Sequence, residues 1–260
     1  MIANFSVEEL VHEVLVAPRQ GLLPMADTRI IERPGWWQLV TPSIKQGGMN
    51  EVICSALPKD DAEIEATIDE ALALYRELGL RFRWTIPPGA EPVDLAERLA
   101  RRGMKRQEAL GMARATHDVA APSSSSITVE EVDLSNVDVF TRVMAAGWEA
   151  DPAPLDKLHR RMLADPAQRH HHFIARKDGV AGCVASCVAL ERSAYLIGAV
   201  TLPALRGAGL YRALVHARLR HIAARNINLA TTLARAGTSG PILKRLGFQV
   251  AFTAVIFTND

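Results

Sequence analysis

The sequence predicts an α/β or α+β chain in two parts, on three observations. Apolar stretches of strand length alternate with stretches of helical period along nearly the whole chain. A small polar break, Pro122-Ser-Ser-Ser-Ser126, interrupts the alternation near its middle. Near the end, an apolar strand finishing at Val200 and Thr201 passes through a basic, glycine-bearing turn into an amphipathic helix. Ser-rich segments bury no apolar area and act as spacers. The boundary is therefore placed there, with a first domain over 1–121, a linker over 122–126 and a second domain over 127–260.

The elements follow in order. Ser6 with Glu9 three residues on is a capping box, which predicts a helix over 7–16. Strands are expected over 36–40 and 51–57. A long helix over 60–78 is acid-rich at its start and closed by Gly79. A strand over 81–86, a helix over 92–101 ended by Gly103, and a strand over 106–116 complete the first half. The second half opens with a strand over 127–132 and helices over 137–146 and 155–163. Pro152 and Pro154 predict an irregular connection between those helices, since a residue before proline avoids the α region. Strands over 171–176 and 180–190 flank the turn signal Asp178-Gly179. A strand over 194–201 leads to a helix over 210–224 with Leu210, Leu214, Val215, Leu219 and Ile222 along one side. A strand over 228–233, a short helix over 241–246 with Pro241 in its first turn, and a strand over 249–257 end the chain.

Composition excludes several classes. With 260 residues, 48% apolar content and a formal net charge of +1, the chain supports a substantial core and is not globally basic, so no nucleic-acid partner is expected. Its preference for Arg over Lys reads as the coding bias of a GC-rich bacterium. Cys54, Cys183 and Cys187 are too few for a disulfide framework and read as buried thiols. The N-terminal acids Glu8, Glu9 and Glu13 argue against a signal peptide, and no apolar run reaches membrane-spanning length. No membrane partner and a cytoplasmic setting are the expectations.

The turn Arg206-Gly-Ala-Gly209-Leu-Tyr211 carries the clearest chemistry. The first N–H groups of a helix lack intrahelical partners, and the helix dipole adds partial positive charge at the same end. Gly207 and Gly209 let backbone approach an anion, and Arg206 adds a full charge. This segment resembles motif A of the GNAT acetyltransferases, R/Q-x-x-G-x-G/A, with Tyr211 in the last place. Pro203 before it and Leu246-Gly247-Phe248 downstream fit the same family, as does the element order across 127–260. The resemblance implies a central mixed sheet flanked by helices and acetyl-CoA as cosubstrate. It places Ala199, Val200 and Thr201 beside the pantetheine. Arg206, Gly207, Ala208, Gly209, Leu210, Tyr211 and Arg212 fall around the phosphates. In the first half, Asn50-Glu-Val52, residues 80–84 and Gly111-Met112 resemble the degenerate N-terminal domain of bacterial tandem GNAT proteins.

The family's acid and base are absent from their usual places. Leu243 stands where many members have the tyrosine that protonates the thiolate, and Ala236 where tandem relatives have Ser or Asn. Leu196, Ile197 and Gly198 offer no carboxylate. Glu149 and Asp151, in the connection that lines the acceptor cleft in this family, are candidate bases or anchors for a cationic acceptor; exposed loop acids are the plain alternative. The Tyr211 hydroxyl is a candidate at the thioester, against simple packing. Thr238 and Ser239 are candidate cofactor contacts or ordinary helix caps. Glu191 reads as a solvent-facing strand end. Of His170, His171 and His172, neighbours on a strand point to opposite faces, so only His170 and His172 share one. Two imidazoles without a further ligand make a poor zinc site, and no metal is expected; a single histidine base or plain strand filler is the reading. The expected function is acetyl-CoA-dependent N-acetyl transfer to a small-molecule or amino-acid-like amine, by a monomer or homodimer. The alternatives are a CoA-binding sensor or sequestering protein with weak or no transfer, another acyl-CoA reaction on the same scaffold, and an interaction module without CoA affinity.

Overall fold

Ser6 opens the first helix, α1 (Val7–Leu15), with the reciprocal pair read from the sequence. Its hydroxyl accepts from the Glu9 N–H at 3.1 Å, and the Glu9 carboxylate accepts from the Ser6 N–H at 2.8 Å. The structure is a computed structural model and describes residues 2, 5–46, 48–119 and 126–259. Of the expected linker, 122–125 lie outside the described residues. The first half continues with β1 (Arg29–Arg33), β2 (Trp36–Val40), β3 (Glu51–Cys54), α2 (Asp61–Glu77), β4 (Arg83–Ile86), α3 (Leu95–Arg101) and β5 (Lys105–Ala115). The second half comprises β6 (Ile127–Glu131), α4 (Val137–Trp148), α5 (Pro152–Leu163), β7 (His170–Lys177), β8 (Val180–Ala189) and β9 (Ala194–Thr201). It ends with α6 (Leu210–Ala223), β10 (Leu229–Arg235), α7 (Ser239–Arg245) and β11 (Gln249–Thr258). Among the described residues no helix is long and apolar enough to cross a membrane.

Three local expectations change. β1 is an extra strand; its Arg-Ile-Ile-Glu-Arg sequence is exposed nearly throughout and forms an edge only by pairing with β2. The proline-rich stretch after α4 is not irregular. Pro152 is the first residue of α5, where its fixed φ suits a helix start, and Asp151 is the extended N-cap. β3 stops at Cys54, and residues 55–57 leave the strand.

Among the described residues all eleven strands form one sheet, in the order β1-β2-β3-β4-β11-β5-β10-β9-β8-β7-β6. The two halves trade their last strands. β11 lies antiparallel between β4 and β5, and β5 lies antiparallel between β11 and β10. On either side of this seam a parallel pair brackets a crossover helix: β3 and β4 around α2, β9 and β10 around α6. The sheets of the two halves are therefore continuous, as a two-half α/β architecture with exchanged edges.

Each half keeps its own core. Ile68, Tyr75, Trp84, Leu99 and Phe257 are buried together beneath α2 and α3. Arg98 and Arg102 hold those two helices through Asp61, Glu65, Asp69 and Asp94. In the second half the predicted α6 stripe, Leu210, Leu214, Val215, Leu219 and Ile222, is buried against Cys183, Ala185 and Cys187 of β8. The thiols are buried as expected, and burial pushes that of Cys187 up to about 12. Helix α1 crosses back to the second half. Its buried Glu13 accepts from the Ser193 hydroxyl at 2.5 Å, and Glu9 pairs with Arg192 at 2.8 Å.

At the seam, Gly111 of β5 faces Phe252 beside a bulge in β11, and a Cβ there would overlap the phenyl ring. Gly111→Ala is expected to cost about 1–3 kcal/mol by overpacking. Urea unfolding of the two proteins, compared at their midpoints, checks it; an unchanged midpoint would contradict the tight seam.

Candidate functional site

The site begins where two neighbouring strands part. β9 and β10 are paired only at Ala194 with Ala230 and Tyr195 with Thr231. From there β10 follows β5 as far as Arg235 opposite Ala109, while β9 follows β8 as far as Thr201 opposite Cys183. The gap between them widens toward the strands' C-terminal ends. At its apex the Thr232 hydroxyl donates to the Leu196 carbonyl at 2.8 Å, replacing the ladder bond that the divergence removes.

A bulge in β9 sits just beyond this apex. Ser186 is opposite Ile197 and Val184 opposite Val200, so Gly198 and Ala199 together face Ala185. Gly198 has φ 66°, the left-handed conformation that glycine tolerates. Two residues against one kinks the strand and re-aims its edge. Ile197 is 38% exposed as a result, and Ala199 is exposed beside it. The Val200 side chain turns toward α4, where Gly147 leaves it room. The Thr201 hydroxyl lies 3.0 Å from Cys183 Sγ. An extended ligand laid along residues 197–201 would meet backbone groups with no strand on that side.

β9 leads directly into the anion cradle. Gly207 (φ 79°) and Gly209 (φ 88°) are both left-handed, a conformation costing other residues roughly 1–2 kcal/mol. The first intrahelical bond of α6 runs from the Ala213 N–H to the Gly209 carbonyl at 3.0 Å. The amides of Leu210, Tyr211 and Arg212 thus precede the ladder and point out of the helix end. No acidic residue lies in the first turn, while Arg206 and Arg212 are exposed beside it. The Arg206 guanidinium donates to the Thr201 carbonyl at 3.4 Å. One turn on, burial first and then Arg220, Arg114 and Arg212 hold the His216 imidazole below its ordinary pKa. The corresponding crossover helix of the first half has the opposite charge: Asp60 caps α2, and Asp61 and Glu63 fill its first turn. An anion is favoured at α6 and repelled at α2.

The remaining candidates are dispersed. Glu149 is the left-handed C-cap of α4, exposed, two residues beyond the Gly147–Val200 contact. Asp151 spends a carboxylate oxygen on the Ala153 N–H at 2.9 Å as the cap of α5. Tyr211 is half-buried and packs on the core beneath α6, and burial raises its pKa. Ser239 does not cap α7; its hydroxyl accepts from the Arg235 N–H at 3.1 Å and ties α7 to the end of β10, while Thr238 stands at the cap without a side-chain bond. Leu243 is buried, so no hydroxyl enters from α7 at that place. Glu191 is exposed.

One pair under the bulge carried no sequence signal. Ser186 Oγ lies 3.6 Å from where a Cβ on Gly198 would stand, and it is 2.7 Å from His172 Nδ1. His172 is 1% exposed and packs on Phe140, with His159 at 5.6 Å and His170 at 6.3 Å between ring centroids. His159 Nδ1 is in turn 2.8 Å from the Thr141 hydroxyl. Burial holds His172 well below its usual pKa, with the neighbouring imidazoles adding to the effect, and pushes His159 down to about 4. On the other side of the strand the buried Arg218 guanidinium donates to the Ser186 carbonyl at 3.0 Å. The alternation argument for His170 and His172 holds, but a serine from the next strand is visible only through register.

These neutral imidazoles make a stability prediction. His159 and His172 bind a proton more readily unfolded than folded, so stability is intact above about pH 6.5 and falls as pH drops toward 4. At about 1.4 kcal/mol per pKa unit, His159 contributes on the order of 3 kcal/mol to that loss. Urea midpoints at pH 7 and pH 4.5 measure it, and His159→Gln is expected to flatten the difference.

Comparison with known proteins agrees with the fold. No family model matches the chain, and no curated protein matches it. Among solved structures, the chain is similar to a GCN5-related N-acetyltransferase from Kribbella flavida, at 21% identity over 93% of this chain and 92% of that one, with a TM-score of 0.63. It is similar to a GCN5-related N-acetyltransferase from Sphaerobacter thermophilus, at 13% identity over 89% and 75% of the two chains, with a TM-score of 0.60. It is also similar to a tandem GNAT protein from the clavulanic acid biosynthesis pathway, at 15% identity over 97% and 92%, with a TM-score of 0.55.

Proposed function

We propose that this chain, whose fold is that of the tandem GCN5-related N-acetyltransferases, moves an acetyl group from acetyl-CoA to the amine of a small or amino-acid-like molecule. The observation that carries this reading is the continuity of three features: the parting of β9 from β10, the bulge at Gly198, and the basic glycine cradle at the start of α6. The pyrophosphate would sit on the amides of residues 207–212 with Arg206 and Arg212. The pantetheine would run along the free edge of residues 199–201, which brings the thioester to the bulge. Only the second half has this arrangement, since α2 presents acids where α6 presents amides and arginine.

In the reaction the amine nitrogen bonds to the thioester carbonyl carbon, the C–S bond breaks, and the amine loses a proton. Holding the two reactants in line supplies much of the acceleration in such transfers. Ser186, bonded to neutral His172 directly under the bulge, is the side-chain route we assign for that proton. With Leu243 in place of a phenol, the departing thiolate takes its proton from water. Glu149 at the exposed end of α4 would favour a cationic acceptor.

The buried Leu243 and the Asp151 cap favour a second reading, a protein that binds the coenzyme and transfers slowly or not at all. Calorimetric titration with acetyl-CoA, CoA and longer acyl-CoAs comes first, with Arg206→Glu expected to weaken binding about tenfold or more, a change of about 1.4 kcal/mol. No binding to any of them sinks both readings. Thiol release across a panel of amines then separates the two, because only the transferase releases CoA in step with acceptor. Ser186→Ala and His172→Gln are expected to lower kcat about tenfold to a hundredfold with KM for acetyl-CoA little changed. An unaltered kcat in both removes this pair from the mechanism.

A further inference from the structure

The far end of α6, roughly 16 Å along the helix from the cradle by its rise per residue, closes on a second cluster. Glu131 from β6, His171 from β7 and His221 from α6 meet at the β6 edge of the sheet, with one ligand atom from each lying within 4.8 Å of the others. His171 Nδ1 is 3.2 Å from Glu131 Oε1, and His221 Nδ1 is 3.3 Å from Glu131 Oε2. The two rings lie 4.2 Å apart between centroids. Both imidazoles are 9% exposed, whereas the carboxylate is 47% exposed and reachable from water.

Proton placement in this cluster is frustrated. A neutral imidazole has one N–H and one lone pair. If both Nδ1 atoms carry protons toward Glu131, both Nε2 lone pairs are left buried without a partner. His221 Nδ1–H would also face the Arg225 guanidinium, which lies 3.2 Å away and can only donate. If the Nδ1 lone pairs turn inward instead, two nitrogens and a carboxylate converge on one point with no proton between them, and the Nε2–H groups are the buried atoms without a partner. A dication resolves the convergence at the Nδ1 atoms. Zinc bonds of about 2.0–2.2 Å in a tetrahedron put neighbouring ligand atoms about 3.3 Å apart; each Nδ1 stands near that distance from Glu131, His171 from Oε1 and His221 from Oε2. The exposed Arg225 is the cation an ion would displace.

We propose that Glu131, His171 and His221 form a zinc site, with water in the fourth position, that clips the edge strand β6 to β7 and to the C-terminal end of α6. The set has two imidazoles and a carboxylate, a donor combination that three-ligand zinc sites use with water in the fourth position. It lies on the face of β7 opposite His172 and roughly 16 Å along α6 from the cradle, which makes it a structural clip, separate from the transfer site.

The test uses the full-length chain, stripped with a chelator and titrated with Zn²⁺ alone by calorimetry, with Co²⁺ absorption as the geometric readout. One ion per chain is expected at micromolar affinity or tighter, with tetrahedral Co²⁺ bands in the visible and a rise in Tm of several degrees. Glu131→Gln and His221→Gln are each expected to weaken Zn²⁺ binding about tenfold or more, with circular dichroism unchanged. Glu131 is half-exposed, so that variant keeps the test open if the histidine variant folds poorly. Absence of stoichiometric uptake, or uptake that both variants leave intact, overturns the site.

Discussion

The exchange of β5 and β11 is the constraint on which the rest of the molecule depends. A sheet strand is held on both edges, and the neighbour it keeps along its whole length decides where it goes. β10 keeps β5 along seven register pairs and keeps β9 along two. The first half therefore supplies the strand that draws β10 away, and the cleft exists because β9 does not follow. The same exchange buries Phe257 of the last strand in the core of the first half and Met112 of β5 in the core of the second. Neither half could keep its core intact without the other, which is why a chain with an obvious break in its middle folds as one sheet.

Electrostatics then separates two helices that topology makes alike. α2 and α6 are both crossovers between parallel strands, and both dipoles are positive at the N-terminus. At α2 the positive end is already satisfied by the chain's own carboxylates, with the Asp60 side chain accepting from the Glu63 N–H at 3.1 Å. At α6 the place is held by a left-handed glycine with no side chain to cap it. A helix end satisfied from within has nothing to offer a ligand, and a helix end left open is a binding feature. The first half thus carries, capped, the helix end that the second half leaves open.

Burial sorts the histidines into two groups by face. β7 carries three in succession, and the pleat sends His170 and His172 toward α4, α5 and the turn before β1, where His170 bonds the Gly21 carbonyl at 2.6 Å. His171 goes to the α6 side and meets His221. On the first face the imidazoles are neutral hydrogen-bonding groups in an apolar setting, joined to the bulge through Ser186. On the second they share a carboxylate that reaches water. One strand thus presents one face to the bulge in β9 and the other to the Glu131–His171–His221 cluster.

The amino-acid sequence by itself determined what depends on neighbours within a few residues. The Ser6–Glu9 capping box, the α6 stripe, the turn at Asp178-Gly179 and the left-handed glycines of the cradle are local, because periodicity and caps act over one or two turns. Nearly every element, and the basic glycine turn at the start of α6, could be read this way. β1 could not, since its charged sequence has no strand pattern and pairing alone makes it a strand. Nor could the two side-chain clusters be read: Ser186 and His172 meet through the register of β7 on β8, and Glu131, His171 and His221 through the packing of α6 on two strands. Tyr211 lies half-buried against the core beneath α6 and Asp151 caps α5 through one carboxylate oxygen, contacts set by packing and by a neighbouring helix end. Which strand lies beside which, and which side chains therefore share a face, is a property of the whole sheet, and only the tertiary structure decided it.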